Sequence, residues 1–192
     1  MRKLRIIYVD LFINMGRSVP KEESRIYDYA EVMIRRAELA EVDVLKAIIK
    51  EAYAPVKKQL SRTPAALDEG LSKIARHIQM GDQYVALVGE SIVGTMRVRM
   101  HGQKGVISRL AVLQKYRGRR IGTVLMQYAE NLLSSRGATC VEVEVYGAID
   151  EQLSFYERLG YKETGRTVRL KEEIVSMEKS LVEEEVEEEE AY

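Results

Sequence analysis

Cysteine and histidine are scarce in this 192-residue sequence, which has one cysteine, Cys140, and two histidines, His77 and His101. A lone cysteine excludes an intramolecular disulfide framework, and its place in an apolar, strand-like pattern favours a buried, inert thiol. The histidines have no ligand-spaced partners, so no metal is expected. No apolar run approaches the ~20 residues that a membrane-crossing helix needs, which argues against a membrane protein. No targeting leader is expected either. Arg2, Lys3 and Arg5 beside Ile6, Ile7 and Val9 resemble the start of a signal peptide, but Asp10 and Asn14 interrupt the apolar stretch and no small-residue cleavage site follows. The expectation is a soluble, cytoplasmic protein. Asparagine is scarce too, with two residues, which fits a heat-adapted source and fits chance equally well.

What is present is the composition of a globular protein, 46% apolar and 31% charged, in a chain long enough for one domain with a short appendage. The net charge of zero hides an asymmetry: seven glutamates fall within residues 183–190, leaving 30 basic against 23 acidic side chains in residues 1–182. That excess suits a polyanionic ligand such as a nucleotide cofactor, and would also suit weak nucleic-acid contact. The acidic tail repels itself and has few apolar anchors, so residues 183–192 are expected to be solvated and disordered.

Along the chain, residues 1–31 form an extension of unassigned role, with a short strand expected over 4–9. Residues 32–35 alternate like a strand, and Val42, Leu45, Ile48, Ile49 and Ala52 recur at helical spacing. Thr63-Pro64 reads as the start of a second helix, with Leu67, Leu71, Ile74 and Ile78 as its stripe and Gly81 as its stop. Residues 84–88 and 92–100 flank Gly89-Glu90-Ser91 as a hairpin, and residues 105–112 form a further strand. A helix of about 15 residues, carrying Val124, Leu125, Tyr128, Ala129, Leu132 and Leu133 on one face, ends at Gly137. Strand 139–146, short helix 150–159 closed by Gly160, and strands 168–170 and 174–181 complete the pattern. Helices intermixed with a mainly antiparallel sheet predict an α+β fold of three layers.

Between an apolar strand and an amphipathic helix stands Arg117-Gly118-Arg119-Arg120-Ile121-Gly122-Thr123. Unpaired amides and the positive dipole end of a helix favour an anion there; two glycines let backbone approach it and three arginines add charge. Upstream lies Arg109-Leu110-Ala111-Val112, and downstream, past one helix and one strand, lies Phe155-Tyr156-Glu157-Arg158-Leu159-Gly160-Tyr161. Together these segments resemble the GCN5-related N-acetyltransferase (GNAT) family, over residues 33–181 of a 32–182 domain. The resemblance implies the three-layer α/β/α acyl-CoA N-acyltransferase fold with a mixed central sheet, and acetyl-CoA as co-substrate. It implies that Leu110, Ala111 and Val112 hold the pantetheine arm and that residues 117–123 hold the pyrophosphate. Tyr156 matches the tyrosine that protonates the departing thiolate. The family often dimerises through its terminal strands, so a homodimer falls within what the resemblance implies.

Two positions depart from the family pattern: Arg120 stands where the middle glycine of the turn is usual, and Gln152 where many relatives place an asparagine. For the base that takes the amine proton, Glu142 and Glu144 lie two apart on one strand face, so both face the cleft or both face solvent; in the second case water takes the proton. Tyr156 has the alternative of a core aromatic. Tyr53, Tyr84 and Tyr146 line an acceptor pocket or simply pack. The function expected is acetyl transfer from acetyl-CoA to a primary amine of a small or amino-acid-like acceptor, by direct transfer. The alternatives are a protein amino terminus or lysine as acceptor, although residues 147–152 lack the Arg-x-x-Asn pattern of such relatives, and a non-catalytic acyl-CoA-binding module.

Overall fold

The computed structural model describes residues 32–182 and, before them, the strand Ile6–Tyr8. The rest of the extension and the acidic tail lie outside the described residues. The strands are β1 (Ile6–Tyr8), β2 (Val32–Arg36), β3 (Gln83–Val88), β4 (Ser91–His101), β5 (Lys104–Val112), β6 (Cys140–Tyr146), β7 (Lys162–Arg169) and β8 (Glu172–Ser180). They form one sheet in the order β1-β2-β3-β4-β5-β6-β8-β7, antiparallel except where β1 meets β2 and β5 meets β6. Helices α1 (Val42–Lys57) and α2 (Leu71–Gln79) cover one face; α3 (Ile121–Ser135) and α4 (Asp150–Glu157) cover the other. This is the α+β, three-layer arrangement that the sequence predicts.

Each layer follows from an apolar stripe. Leu45, Ile48, Ile49 and Ala52 of α1 recur at helical spacing and bury against Val85, Leu87 and Ala111. On the opposite face α3 buries Leu125, Ala129 and Leu133 against Val98, Ile107, Val141 and Val143. The approach of α3 to β5 is close enough to require glycine: a Cβ on Gly105 would stand 2.5 Å from Leu133 Cδ1.

Two elements differ from the sequence expectation. The helix expected from Thr63-Pro64 begins only after Gly70. Residues 64–67 make a turn instead, with Leu67 N–H donating to Pro64 C=O at 2.8 Å. Lys46 Nζ donates to the carbonyls of Leu67 and Glu69, at 2.7 and 2.6 Å, which a continuing helix would have used itself. Of the expected stripe only Ile74 and Ile78 are buried, and Leu71 is exposed. Strand β7 is longer than residues 168–170. Every residue in it is exposed, so this edge strand has no inside–outside alternation from which to read it.

The middle of the sheet is irregular in two ways that create the site. Strands β5 and β6 pair only where Lys104, Gly105 and Val106 face Cys140, Val141 and Glu142; beyond that they part. In β5, Thr95 opposes Ala111 while Arg97 opposes Ser108, so Arg109 and Leu110 together face Met96 alone. This is a bulge, and Arg109 takes a φ of 55° within it.

Candidate active site

A cavity of about 1520 Å³ opens where β5 and β6 part. It exceeds the ~300–1,000 Å³ of a pocket for one small ligand and has room for two substrates. Leu113 N–H donates to Val93 C=O at 2.9 Å. Because strand backbone alternates, Ala111 also turns its polar groups toward β4, whereas Leu110 and Val112 turn theirs toward the gap. The Ala111 side chain is buried beneath α1. Residues 110–112 thus present two sets of backbone hydrogen-bonding groups to the cavity, as a ligand with amides along its length would require.

At the upper end of β5 a short 3₁₀ turn, Gln114–Tyr116, leads into the glycine-containing turn. Gly118 has a φ of 73°, which the left-handed region allows glycine at little cost. Arg120, the N-cap of α3, is also left-handed, with a φ of 61°, and its side chain makes no capping bond. The first amides of α3 therefore meet the cavity without a side-chain cap, at the positive end of the helix dipole. Ile121 is buried and anchors this end to the core.

The three arginines of the turn do different things. Arg117 donates Nη2 to Ala52 C=O at 2.8 Å and Nε to Val112 C=O at 3.3 Å, joining α1 to the end of β5. Arg120 is exposed and lines the cavity. Arg119 does not line it; its guanidinium lies 5.3 Å from the centre of the Tyr116 ring. Gly122 and Thr123 line the cavity, and a Cβ on Gly122 would touch Phe155 Cζ at 3.4 Å. The missing side chain at 122 thus makes room for Phe155 of α4.

Tyr156 is buried between Phe155 and Tyr161, with ring centres at 5.1 and 5.6 Å, and lines the cavity. Burial, with a smaller contribution from Tyr53, raises its pKa well above the usual phenol value, so its proton is retained at neutral pH. Glu142 and Glu144 both line the cavity, opposite the buried Val141, Val143 and Val145 on their strand. Each is engaged by a base. Lys104 Nζ donates to Glu142 at 3.1 Å and to Glu178 at 2.6 Å. Arg169 forms a two-pronged pair with Glu144, Nη1 lying 2.9 Å from Oε2. Tyr53, Tyr146 and Gln152 line the cavity, whereas Tyr84 is buried on the other face against Tyr128.

A buried charge cluster forms another part of the wall, and sequence reasoning missed it. Glu69 accepts from Arg97 Nη1 at 2.9 Å and from Arg109 Nε at 3.0 Å, and its side chain is fully buried. Burial pushes the Glu69 carboxyl up, but the hydrogen bonds and charges of Arg97 and Arg109 outweigh it and hold the pKa below the usual carboxylate range. Arg97 Nε donates to Gln83, which donates to Thr95, which donates to Tyr84 C=O. His77 Nδ1 stands 3.3 Å from Asp82. The available signal was Arg97 and Arg99 alternating within an otherwise apolar strand.

Comparison with known proteins identifies the family and the fold. Residues 80–163 match the model of the acetyltransferase (GNAT) domain. An uncharacterised N-acetyltransferase of Chlorobaculum tepidum is 30% identical over 135 residues, covering 70% of this chain and 77% of the relative. Among solved structures, PaiA N-acetyltransferase from Thermoplasma acidophilum in complex with coenzyme A has a TM-score of 0.68 at 18% identity, over 78% of this chain and 98% of that one. The ribosomal-protein-S18-alanine N-acetyltransferase of Escherichia coli has a TM-score of 0.66 at 15% identity, over 84% and 99%. At such identities the solved structures speak to the fold, while the sequence relative and the domain model speak to descent. The chain belongs to the GNAT family and is an acetyl-CoA-dependent N-acetyltransferase.

Proposed function

We propose that the acceptor is the primary amine of a small or amino-acid-like molecule, acetylated by direct transfer. The observation that carries this reading is a bridge at the cavity rim. Ser61 Oγ and Arg62 N–H, from the segment between α1 and α2, donate to Glu172 Oε1 at 2.6 and 3.0 Å. Glu172 opens β8 just after the β7–β8 turn, and all three residues line the cavity. With its rim closed there, the cavity admits a compact amine more readily than a polypeptide laid across it.

Acetyl-CoA supplies the activated acetyl thioester. The amides of Leu110 and Val112 hold the pantetheine arm and polarise the reacting carbonyl, and the uncapped start of α3, with Gly118 and Arg120, receives the pyrophosphate. The acceptor nitrogen attacks the carbonyl carbon, and the carbon–sulfur bond then breaks. Tyr156, protonated because it is buried, hands its proton to the departing sulfur and regains one from water, so that the proton lost by the amine balances the one gained by the thiol. Glu142 and Glu144 are engaged in ion pairs, so water carries away the amine proton.

Thiol release from acetyl-CoA, measured over a panel of small amines and short peptides, tests the reading. Faster turnover of small amines is expected. Preference for peptides would move the acceptor to the protein class, and coenzyme A binding without turnover on any member would favour a non-catalytic module.

A further inference from the structure

We propose that the acceptor carries an anionic group, a carboxylate or a phosphate, which seats against Arg97, Arg99 and Arg109. The inference rests on the small-amine reading above and names its substrate class.

Arg97 and Arg99 are two apart on β4 and so share a sheet face, and Arg109 meets Arg97 from the neighbouring strand through Glu69. All three line the cavity. Arg97 is 3% exposed, yet its Nη2 is buried without a hydrogen-bond partner among the described residues, and so is Nε of Arg99. An unmade hydrogen bond on a buried guanidinium is costly, and native interiors rarely leave one unmet.

The local charges do not balance. Glu69 is the carboxylate bonded to Arg97 and Arg109, and Lys73 also stands 3.8 Å from it. Asp82 faces His77, and Glu142, across β5 from Arg99, is bonded to Lys104. Arg97 and Arg109 thus share one carboxylate, and Arg99 beside them on the cavity wall is paired with none among the described residues. The field of this excess is felt by its neighbours: burial first, then the Arg97 charge, holds His77 below the usual imidazole value.

A planar guanidinium offers paired donors that match a carboxylate or phosphate, whereas a second ammonium group in the acceptor would meet like charge. Arg109 directly precedes Leu110, whose amide faces the proposed transfer point. An anion held here therefore lies near the reacting amine, as in an amino acid or a short aminoalkyl phosphate.

The test measures kcat/KM at saturating acetyl-CoA for each common amino acid against its own carboxamide, with ethanolamine, ethanolamine phosphate and putrescine as further arms. The best anionic acceptor is expected to exceed its uncharged counterpart by about 100-fold or more, since a site built to pair a polar group rejects an analogue lacking it. Amino acids against ethanolamine phosphate separates carboxylate from phosphate. In Arg99→Gln, chosen because Arg99 is less buried than Arg97, the anionic-to-neutral ratio should fall at least about tenfold while the calorimetric affinity for acetyl-CoA is retained. The preferred anion should also raise the melting temperature of the wild type more than its amide does. Carboxamides or putrescine acetylated as well as the anions, or an unchanged ratio in a folded Arg99→Gln, would overturn the proposal while leaving the small-amine reading intact. Acetyl-CoA binding with no turnover of any arm, and with peptides turned over instead, would overturn both.

Discussion

Tyr156 and Glu69 show how burial assigns different work to two polar side chains. Tyr156 is buried, keeps its proton and meets the cavity, so Tyr156→Phe is expected to lower kcat about 100-fold, at the low end of general-acid effects, with the melting temperature nearly unchanged. Unaltered turnover in that variant would reduce the residue to a packing role. Glu69 touches no solvent and neutralises part of the Arg97 and Arg109 charge. Removing one partner of such a buried pair strands the other, so Glu69→Gln should cost about 3 kcal/mol in a denaturant titration. Tyr156 was legible beforehand because it lies in a recognisable segment. Glu69 was not, because nothing in Leu67-Asp68-Glu69-Gly70 distinguishes a buried carboxylate from an exposed one until two strands bring arginines to it. The ion pairs that engage Glu142 and Glu144 were hidden for the same reason: Lys104 and Arg169 lie far from them in sequence.

Among the elements, strand β5 bears the most conflicting demands, since it must accept α3 on one face and carry the bulge and the cavity wall further on. Gly105→Ala should bring its Cβ within 2.5 Å of Leu133 Cδ1 and destabilise the protein by about 1–3 kcal/mol, as overpacking does. Pairing it with Leu133→Val should recover part of that loss in thermal melts, because the crowded methyl group is then removed. Arg117→Ala would release both α1 and the carbonyl of Val112, so affinity for coenzyme A should weaken about tenfold by calorimetry even though the guanidinium itself is engaged with protein. The apolar stripes of α1 and α3 could be read from the sequence, and with them the length of α3, although the last turn of α1 runs beyond its stripe to Lys57. The start of α2 could not, since Thr63-Pro64 opens a turn as readily as a helix, and β7 lacks the alternation by which strands are recognised.

For the whole molecule, stability should decline on the acid side. Glu69, Glu41 and Glu178 have lowered carboxyl pKa values: in Glu69 the arginine pairs override the opposing effect of burial, while Glu41 is held mainly by Arg35 and Glu178 mainly by Lys104. A group depressed on folding contributes fully above its unfolded value, about 4.3 for glutamate, and loses that contribution as pH falls through the folded value. His77, depressed chiefly by burial, acts with the same sign from about pH 6.5 downward. Urea midpoints measured from pH 8 to pH 3 should therefore fall with acidity, and the fall should be shallower in Glu69→Gln; a flat profile would contradict the pairing. The three-layer order and the family could be anticipated from spacing and from two short segments. The bulge that turns Arg109 toward Glu69 could not, because a left-handed arginine leaves no mark in the sequence.

The parting of β5 from β6 also means that the free protein harbours a sheet edge in its interior. By the alternation of strand backbone, Leu110 and Val112 turn their amides toward a gap where the next strand would run. The pantetheine arm, with its two amides, has the chemistry of a short extended peptide, so in the proposed binding mode it supplies that strand from outside. Amide exchange at Leu110 and Val112 should accordingly be fast in the free enzyme and slow once coenzyme A is bound, turning a seam open to water into a continuous sheet that lasts only as long as the ligand stays.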